Sequence, residues 1–423
     1  LAGVGGTITA AGIITAPQIK TGGSLLNVGL GSGILASMTT GGNNVAIGNK
    51  VLESGTTAHQ NVAVGNRALD AATTTNDTVA VGFEALTTNT TGVANVAVGH
   101  RSLMVNTTGS QNTAVGRQAL VANTTASGVT ALGYHALYSN TTGPKNVGIG
   151  NSALSSITTG DASTAVGFEA LKTTTASNNT AVGCNAMRLT TTGASNVAVG
   201  QNAMASNTTG ADNVGLGLNA LNANTTGTQN TAVGRNALDS NTTNSYNTAV
   251  GYEALTALNG GQYQTAFGYQ AGKALTTASS STAIGSKAML VATTASQCTA
   301  VGEGSMIALT TGNYNVAVGG QTLEAITTQS NNTALGFQAL EDNTADNNTG
   351  IGYLALTANT TGSRNSSLGS YALDASTTGD DNTALGYAAL SANTTASDNT
   401  AVGSYALGSN TTGVNNTGVG YLA

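Results

Sequence analysis

The stretch at residues 112–128, NTAVGRQALVANTTASG, reads as one period of a repeat. Thr113-Ala114-Val115 alternates β-branched residues with alanine, the composition of a short strand whose side chains point to opposite faces in turn. Gly116 closes that strand, and Ala119-Leu120 supplies a second apolar column. Asn123-Thr124-Thr125 is turn chemistry, because asparagine tolerates left-handed backbone and threonine bonds locally.

Outward from this stretch, the closing glycine recurs from Gly31 to Gly420 at intervals of 17 residues, shortened to 16 in two places. Both shortened intervals lose their residue in the turn segment, near Thr173-Thr174-Thr175-Ala176 and Asn343-Thr344-Ala345, where a deletion leaves the apolar columns aligned. A helical repeat is disfavoured, since no 3.6-residue period connects the glycines and helical solenoids have much longer repeats. The expected fold is all-β, a parallel β-solenoid (β-roll) of about 24 coils spanning 27–423, with 1–26 as a cap or connecting segment. At about 4.8 Å per coil the rod would be on the order of 115 Å long.

Column by column, the residue before almost every glycine is aliphatic, with Phe267 the one aromatic, and Ile47, Val64, Val81, Val98 and Val115 are assigned to the core together with Leu69, Leu86 and Leu120. The alanines between the strand's β-branched positions, Ala63, Ala80, Ala97 and Ala114, then fall on the opposite face. Two aliphatic columns are thin against the entropy of ordering 17 residues per coil. The small-residue columns would let a neighbouring chain approach closely, so a parallel homotrimer is expected. Asn44, Asn61, Asn95 and Asn112 share the column four residues before the glycine and are expected to stack as an amide ladder. Tyr134, Tyr252, Tyr269 and Tyr353 share the column just after it, where exposed rings would stack on a glycan.

Composition narrows function. Only 7% of the 423 residues are charged and the net charge is −6, which offers no basic footprint for nucleic acid. No apolar run is long enough to insert in a membrane. Leu1 to Ala16 lack a basic n-region and an initiator Met, as in a processed chain or a piece of a longer one. His59, His100 and His135 occupy three different columns, so no metal site is expected. Glu84, Glu169 and Glu253 recur many coils apart and read as solvated side chains. Cys184 and Cys298 sit seven coils apart, roughly 33 Å at about 4.8 Å per coil, too far to bridge. No catalytic constellation or cofactor motif emerges, so the chain is not expected to be an enzyme. Many Asn-Thr-Thr turns match the N-glycosylation sequon.

The unit Asn61-Val62-Ala63-Val64-Gly65 resembles the head repeat of YadA-type trimeric autotransporter adhesins, a family that folds as a left-handed β-roll and trimerises. The longer unit, Asn112 to Gly116 followed by Ala119-Leu120 and Asn123-Thr124-Thr125, also resembles the repeat shafts of phage and viral tail fibres. These resemblances imply an extracellular structural protein. The first reading is a tail-fibre shaft that contributes to host attachment, with other virion components at its ends. The second is a cell-surface adhesin or filament. Ice binding through stacked threonines is a remote third, disfavoured because adjacent threonines on a strand point oppositely.

Overall fold

The computed structural model describes Thr21–Gly22 and residues 25–423, and every regular element within them is a strand. Thr21–Gly22 pairs antiparallel with Leu25–Leu26; the remainder of the segment read as a cap lies outside the described residues. The chain divides into two compact units, residues 1–209 and 210–423. The first contains a parallel stack of strands from Val28–Ser32 to Val197–Val199, and the second a stack from Val214–Leu216 to Thr417–Val419.

Within each unit a strand pairs with the matching strand of the next coil, residue on residue. Ala97 lies beside Ala114 and Val98 beside Val115 in the first unit; Ala249 lies beside Ala266 and Val250 beside Phe267 in the second. Both units are therefore parallel β-solenoids. The two 16-residue coils keep this register, with Thr164 beside Thr180 and Thr333 beside Thr349, because the missing residue falls outside the strand.

The coil closes through left-handed corners. In the coil that starts at Asn95, taken as position 1, Arg101, Leu103 and Gln111 have φ of 55, 52 and 60°. Such backbone costs a non-glycine residue on the order of 1–3 kcal/mol and persists only where the surroundings over-determine it. Hydrogen bonds to both neighbouring coils do so: Arg101 N–H donates to Phe83 O (2.8 Å), Gln111 N–H to Val93 O (3.0 Å), and Leu103 N–H to Ala119 O (3.0 Å). The strand-closing glycine is required on two counts. Gly116 has φ +133°, and a Cβ there would lie 2.5 Å from Gly133 O in the next coil.

Six positions of this coil turn inward: Asn95, Ala97, Ser102, Leu103, Asn106 and Gly109. This corrects the expected core. Ile47 is 36% exposed, and Val64, Val81, Val98 and Val115 are half-buried on the outer face, while Ala63, Ala80, Ala97 and Ala114 are completely buried. The alternation of the strand is as read, but its phase is reversed. The reason is the width of the coil. Leu69, Leu86 and Leu120 fill the interior at position 9, and across from such a leucine a Cβ built on Gly148 would already lie 3.0 Å from Leu137 Cγ. That clearance admits a methyl group and excludes a valine or isoleucine side chain.

Candidate interaction surfaces

The interior is sealed by polar columns as much as by apolar ones. Asn44, Asn61, Asn95 and Asn112 are all buried. Asn61 Nδ2 donates to Asn44 Oδ1 at 3.0 Å, and Asn112 N–H donates to Asn95 Oδ1 at 3.0 Å. Each amide also bonds a carbonyl fourteen residues ahead: Asn95 to Gly109 O and Asn112 to Ala126 O, both 2.8 Å. A second ladder runs through position 12, where Asn106 Nδ2 donates to Asn89 Oδ1 and Asn123 Nδ2 to Asn106 Oδ1, both at 2.7 Å. Sequence reasoning treated these asparagines as turn residues. The signal was present, since Asn at a fixed column is what marked the first ladder.

This second ladder bears on the sequons. Asn89, Asn106 and Asn123 are fully buried with their amides bonded, so these Asn-Thr-Thr turns present no exposed acceptor in the folded chain. The neighbouring threonines are engaged too: the Thr90 hydroxyl donates to Thr107 O and the Thr107 hydroxyl to Thr124 O, each at 3.0 Å.

Outward, the strands present an apolar column at position 4, made of valine, leucine, isoleucine and Phe267 and including Leu132 at 46% and Leu335 at 47% exposure, beside a position 2 that is valine in some coils and threonine or Ser366 in the others. An outward apolar residue in every coil makes a continuous apolar stripe within each unit.

The aromatic column beside that face divides into two kinds of ring. Tyr134 lies between the Arg117 guanidinium, 5.8 Å from its centroid, and the His135 ring, stacked at 3.8 Å. Tyr252 lies between the Arg235 guanidinium at 5.9 Å and Tyr269, stacked at 5.6 Å. Tyr353 instead begins a herringbone: Tyr353–Tyr371, Tyr371–Tyr387 and Tyr387–Tyr405 meet edge to face at 5.4, 5.9 and 5.3 Å, with interplanar angles of 75, 76 and 74°. Tyr371 and Tyr405 stand one place later than the column singled out from sequence, which is why that reading missed them.

Glu84, Glu169 and Glu253 are ion-paired, the first and last across coils and Glu169 within one. Glu84 accepts from Arg101 Nε at 2.7 Å and lies 3.9 Å from Arg67. Glu169 pairs with Lys172 at 2.7 Å, and Glu253 with Lys273 at 2.6 Å. The hydrogen bond from Lys273, with a further one from Gln270, holds the Glu253 carboxyl down at about 2. Asp374, half-buried behind the tyrosine row, has its pKa raised by desolvation. His59, His100 and His135 remain apart: His59 Nδ1 accepts from Gly42 N–H, His100 stacks on Phe83, and His135 meets Tyr134. Cys184 is exposed, and burial pushes the Cys298 thiol up. Among the described residues no group of three or more His, Cys, Asp or Glu is placed to hold a metal.

No family model matches this chain, and no curated protein matches it.

Proposed function

We propose that the chain is a non-catalytic structural protein of an extracellular fibre, the shaft of a phage or viral tail fibre, assembled as a parallel homotrimer. The repetitive solenoid fold is compatible with a shaft or adhesin role, and the observation that carries the reading is the outward apolar stripe. The interior of each coil is closed by its own leucine, alanine and asparagine columns, so among the described residues this stripe is left without a partner. The small-residue columns first assigned to chain contact lie inside, and the outward aliphatic column at position 4 takes their place.

The size of the stripe bears on association. A strand face three residues wide spans about 10 Å, and the thirteen strands of residues 210–423, at about 4.8 Å each, extend it to about 60 Å. That unit alone offers a face of roughly 600 Å², to be shared between two partner chains in a trimer, against the roughly 800 Å² per side of a stable interface. A cell-surface adhesin of YadA-like type is the second reading, favoured by the exposed tyrosine row, which would let the solenoid body touch a ligand.

Sedimentation and native mass measurement are expected to give three times the 41.3 kDa chain mass. Paired Val98→Asp and Val115→Asp changes on the outer face should release monomers. A stable folded wild-type monomer would overturn the trimer, and antibody labelling of native particles or cells by electron microscopy separates shaft from adhesin.

A further inference from the structure

The row Tyr353, Tyr371, Tyr387 and Tyr405 differs from the other aromatic pairs in how its rings are set against one another. Where rings stack, as in Tyr246–Tyr263 (7°, 5.2 Å) and Tyr252–Tyr269 (10°, 5.6 Å), each covers the face of the next. In the herringbone successive ring planes are turned by 75, 76 and 74°, so within the row no ring lies flat on the next, while Tyr353 at its start is stacked on Phe337 (6.0 Å, 13°). The cause is in the sequence. Successive coils alternate Tyr353-Leu354, Ser370-Tyr371, Tyr387-Ala388 and Ser404-Tyr405, so the ring shifts by one position from coil to coil. Rings of like orientation therefore recur every second coil, about 9.6 Å apart. Tyr353, Tyr387 and Tyr405 are 45%, 47% and 41% exposed, and Tyr371 is half-buried.

We propose that this row is a binding track for an extended, uncharged β-1,4-linked polysaccharide, with sugar rings seated on the faces of alternate tyrosines. In such a polymer successive sugars are flipped, so the same C–H face returns at every second sugar, a repeat close to two strand spacings, about 9.6 Å. Covering those C–H faces with aromatic rings removes apolar area from water on both sides. Charge selects against other polymers. Between residues 341 and 398 stand seven carboxylates and the single base Arg364, whose guanidinium is held by Asp381 through two 2.7 Å hydrogen bonds. A nucleic acid or anionic glycan would be repelled there. The track is independent of the fibre reading and operates in a monomer or an assembled rod.

Calorimetric titration of the full chain with cellohexaose and with chitohexaose tests this. Saturable binding to at least one is expected. Tyr371→Ala with Tyr405→Ala should weaken it about tenfold or more, whereas Tyr371→Phe with Tyr405→Phe, which keeps both rings, should hold it within about threefold. Tyr252→Ala with Tyr269→Ala should leave it unchanged. Mapping of tyrosine nitration on the wild-type chain needs no variant: the oligosaccharide should protect the row from Tyr353 to Tyr405 and not Tyr252 or Tyr269. Absence of saturable binding to both sugars, equal loss in the Tyr252/Tyr269 variant, or no protection of the row would overturn the proposal. Unchanged chain association in the tyrosine variants keeps this result separate from that of the trimer.

Discussion

Two stretches of solenoid solve the same interior problem with opposite chemistry. In one stretch, within residues 1–209, position 12 holds Asn89, Asn106, Asn123 and Asn140 in successive coils, a continuous run of bonded amides. In another, within residues 210–423, five successive coils hold Leu258, Leu275, Ala292, Leu309 and Ile326 there, all buried. The coil is unchanged in length and register across either stretch. The column therefore accepts amide on amide or hydrocarbon on hydrocarbon, and hydrophobicity as such is not required. Borders between the two are met in different ways. Asn241 Oδ1, next to Leu258, has no hydrogen-bond partner, and neither has Asn359 Oδ1, next to Ser376, nor Asn393 Oδ1 within an amide run, whereas Asn140 Oδ1, next to Ile157, accepts from Asn146 Nδ2 at 3.3 Å.

The first ladder is less permissive, and the same apolar stretch shows why. There position 1 runs Asn247, Gln264, Ser281, Cys298, Asn315. Each substitute still donates to the carbonyl fourteen residues ahead: Gln264 to Ala278 O (2.6 Å), Ser281 to Ala295 O (3.1 Å) and Cys298 to Gly312 O (3.4 Å). In this stretch position 12 carries no amide, so the donor that meets the buried carbonyl comes from position 1; where Val129 stands at position 1, Asn140 and Asn146 donate to Gly143 O instead.

Breaking the amide run in its middle should have the largest effect. Asn106→Leu strips a donor from Asn89 Oδ1 and from Gly109 O and an acceptor from Asn123 Nδ2, and should cost about 2–4 kcal/mol, read from urea unfolding and hydrogen exchange of the flanking coils. Asn241→Leu merely moves an existing border by one coil and removes an oxygen already without a partner, so about 1–2 kcal/mol is expected; equal costs for the two changes would contradict the like-on-like rule. Ser376→Asn should run the other way, bridging Asn359 and Asn393 and raising stability by about 1 kcal/mol.

The smallest effect concerns the outside of the apolar stretch. The folded Glu253 carboxyl sits at about 2, below its ordinary 4.5, so its pairing with Lys273 stabilises fully above the unfolded value and is lost as pH falls toward 2. Lys273→Met should flatten that part of the pH–stability curve, and because the pair is solvent-exposed the change in urea midpoint should be slight. A large change would mean that the pair is shielded by a neighbouring chain.

Much of this was legible in one chain. Gly116 and its equivalents marked the period, Leu120 and its equivalents marked the core side of the second wall, and Asn112 marked a ladder, because each is a residue type with a narrow physical use at a fixed column. Position 12 carried the same kind of signal, yet Asn123 was read as a turn residue, since asparagine serves both purposes and local sequence does not separate them. The strand phase was misread for a similar reason. β-Branched residues and alanine alternate equally well in either phase, here Thr113 and Val115 against Ala114, and the larger side chains were given to the core by default.

The amino-acid sequence by itself determined the 17-residue period, the place of the strand, the closing glycine and the leucine column, because these follow from backbone conformation and spacing along the chain. Only the tertiary structure decided which face of the strand is inside, which asparagines ladder and how the tyrosine rings are set against one another. Those depend on distances across the coil and between coils: the leucine at position 9 leaves room for a methyl group opposite it, and a one-residue shift from coil to coil turns a stack of rings into a herringbone.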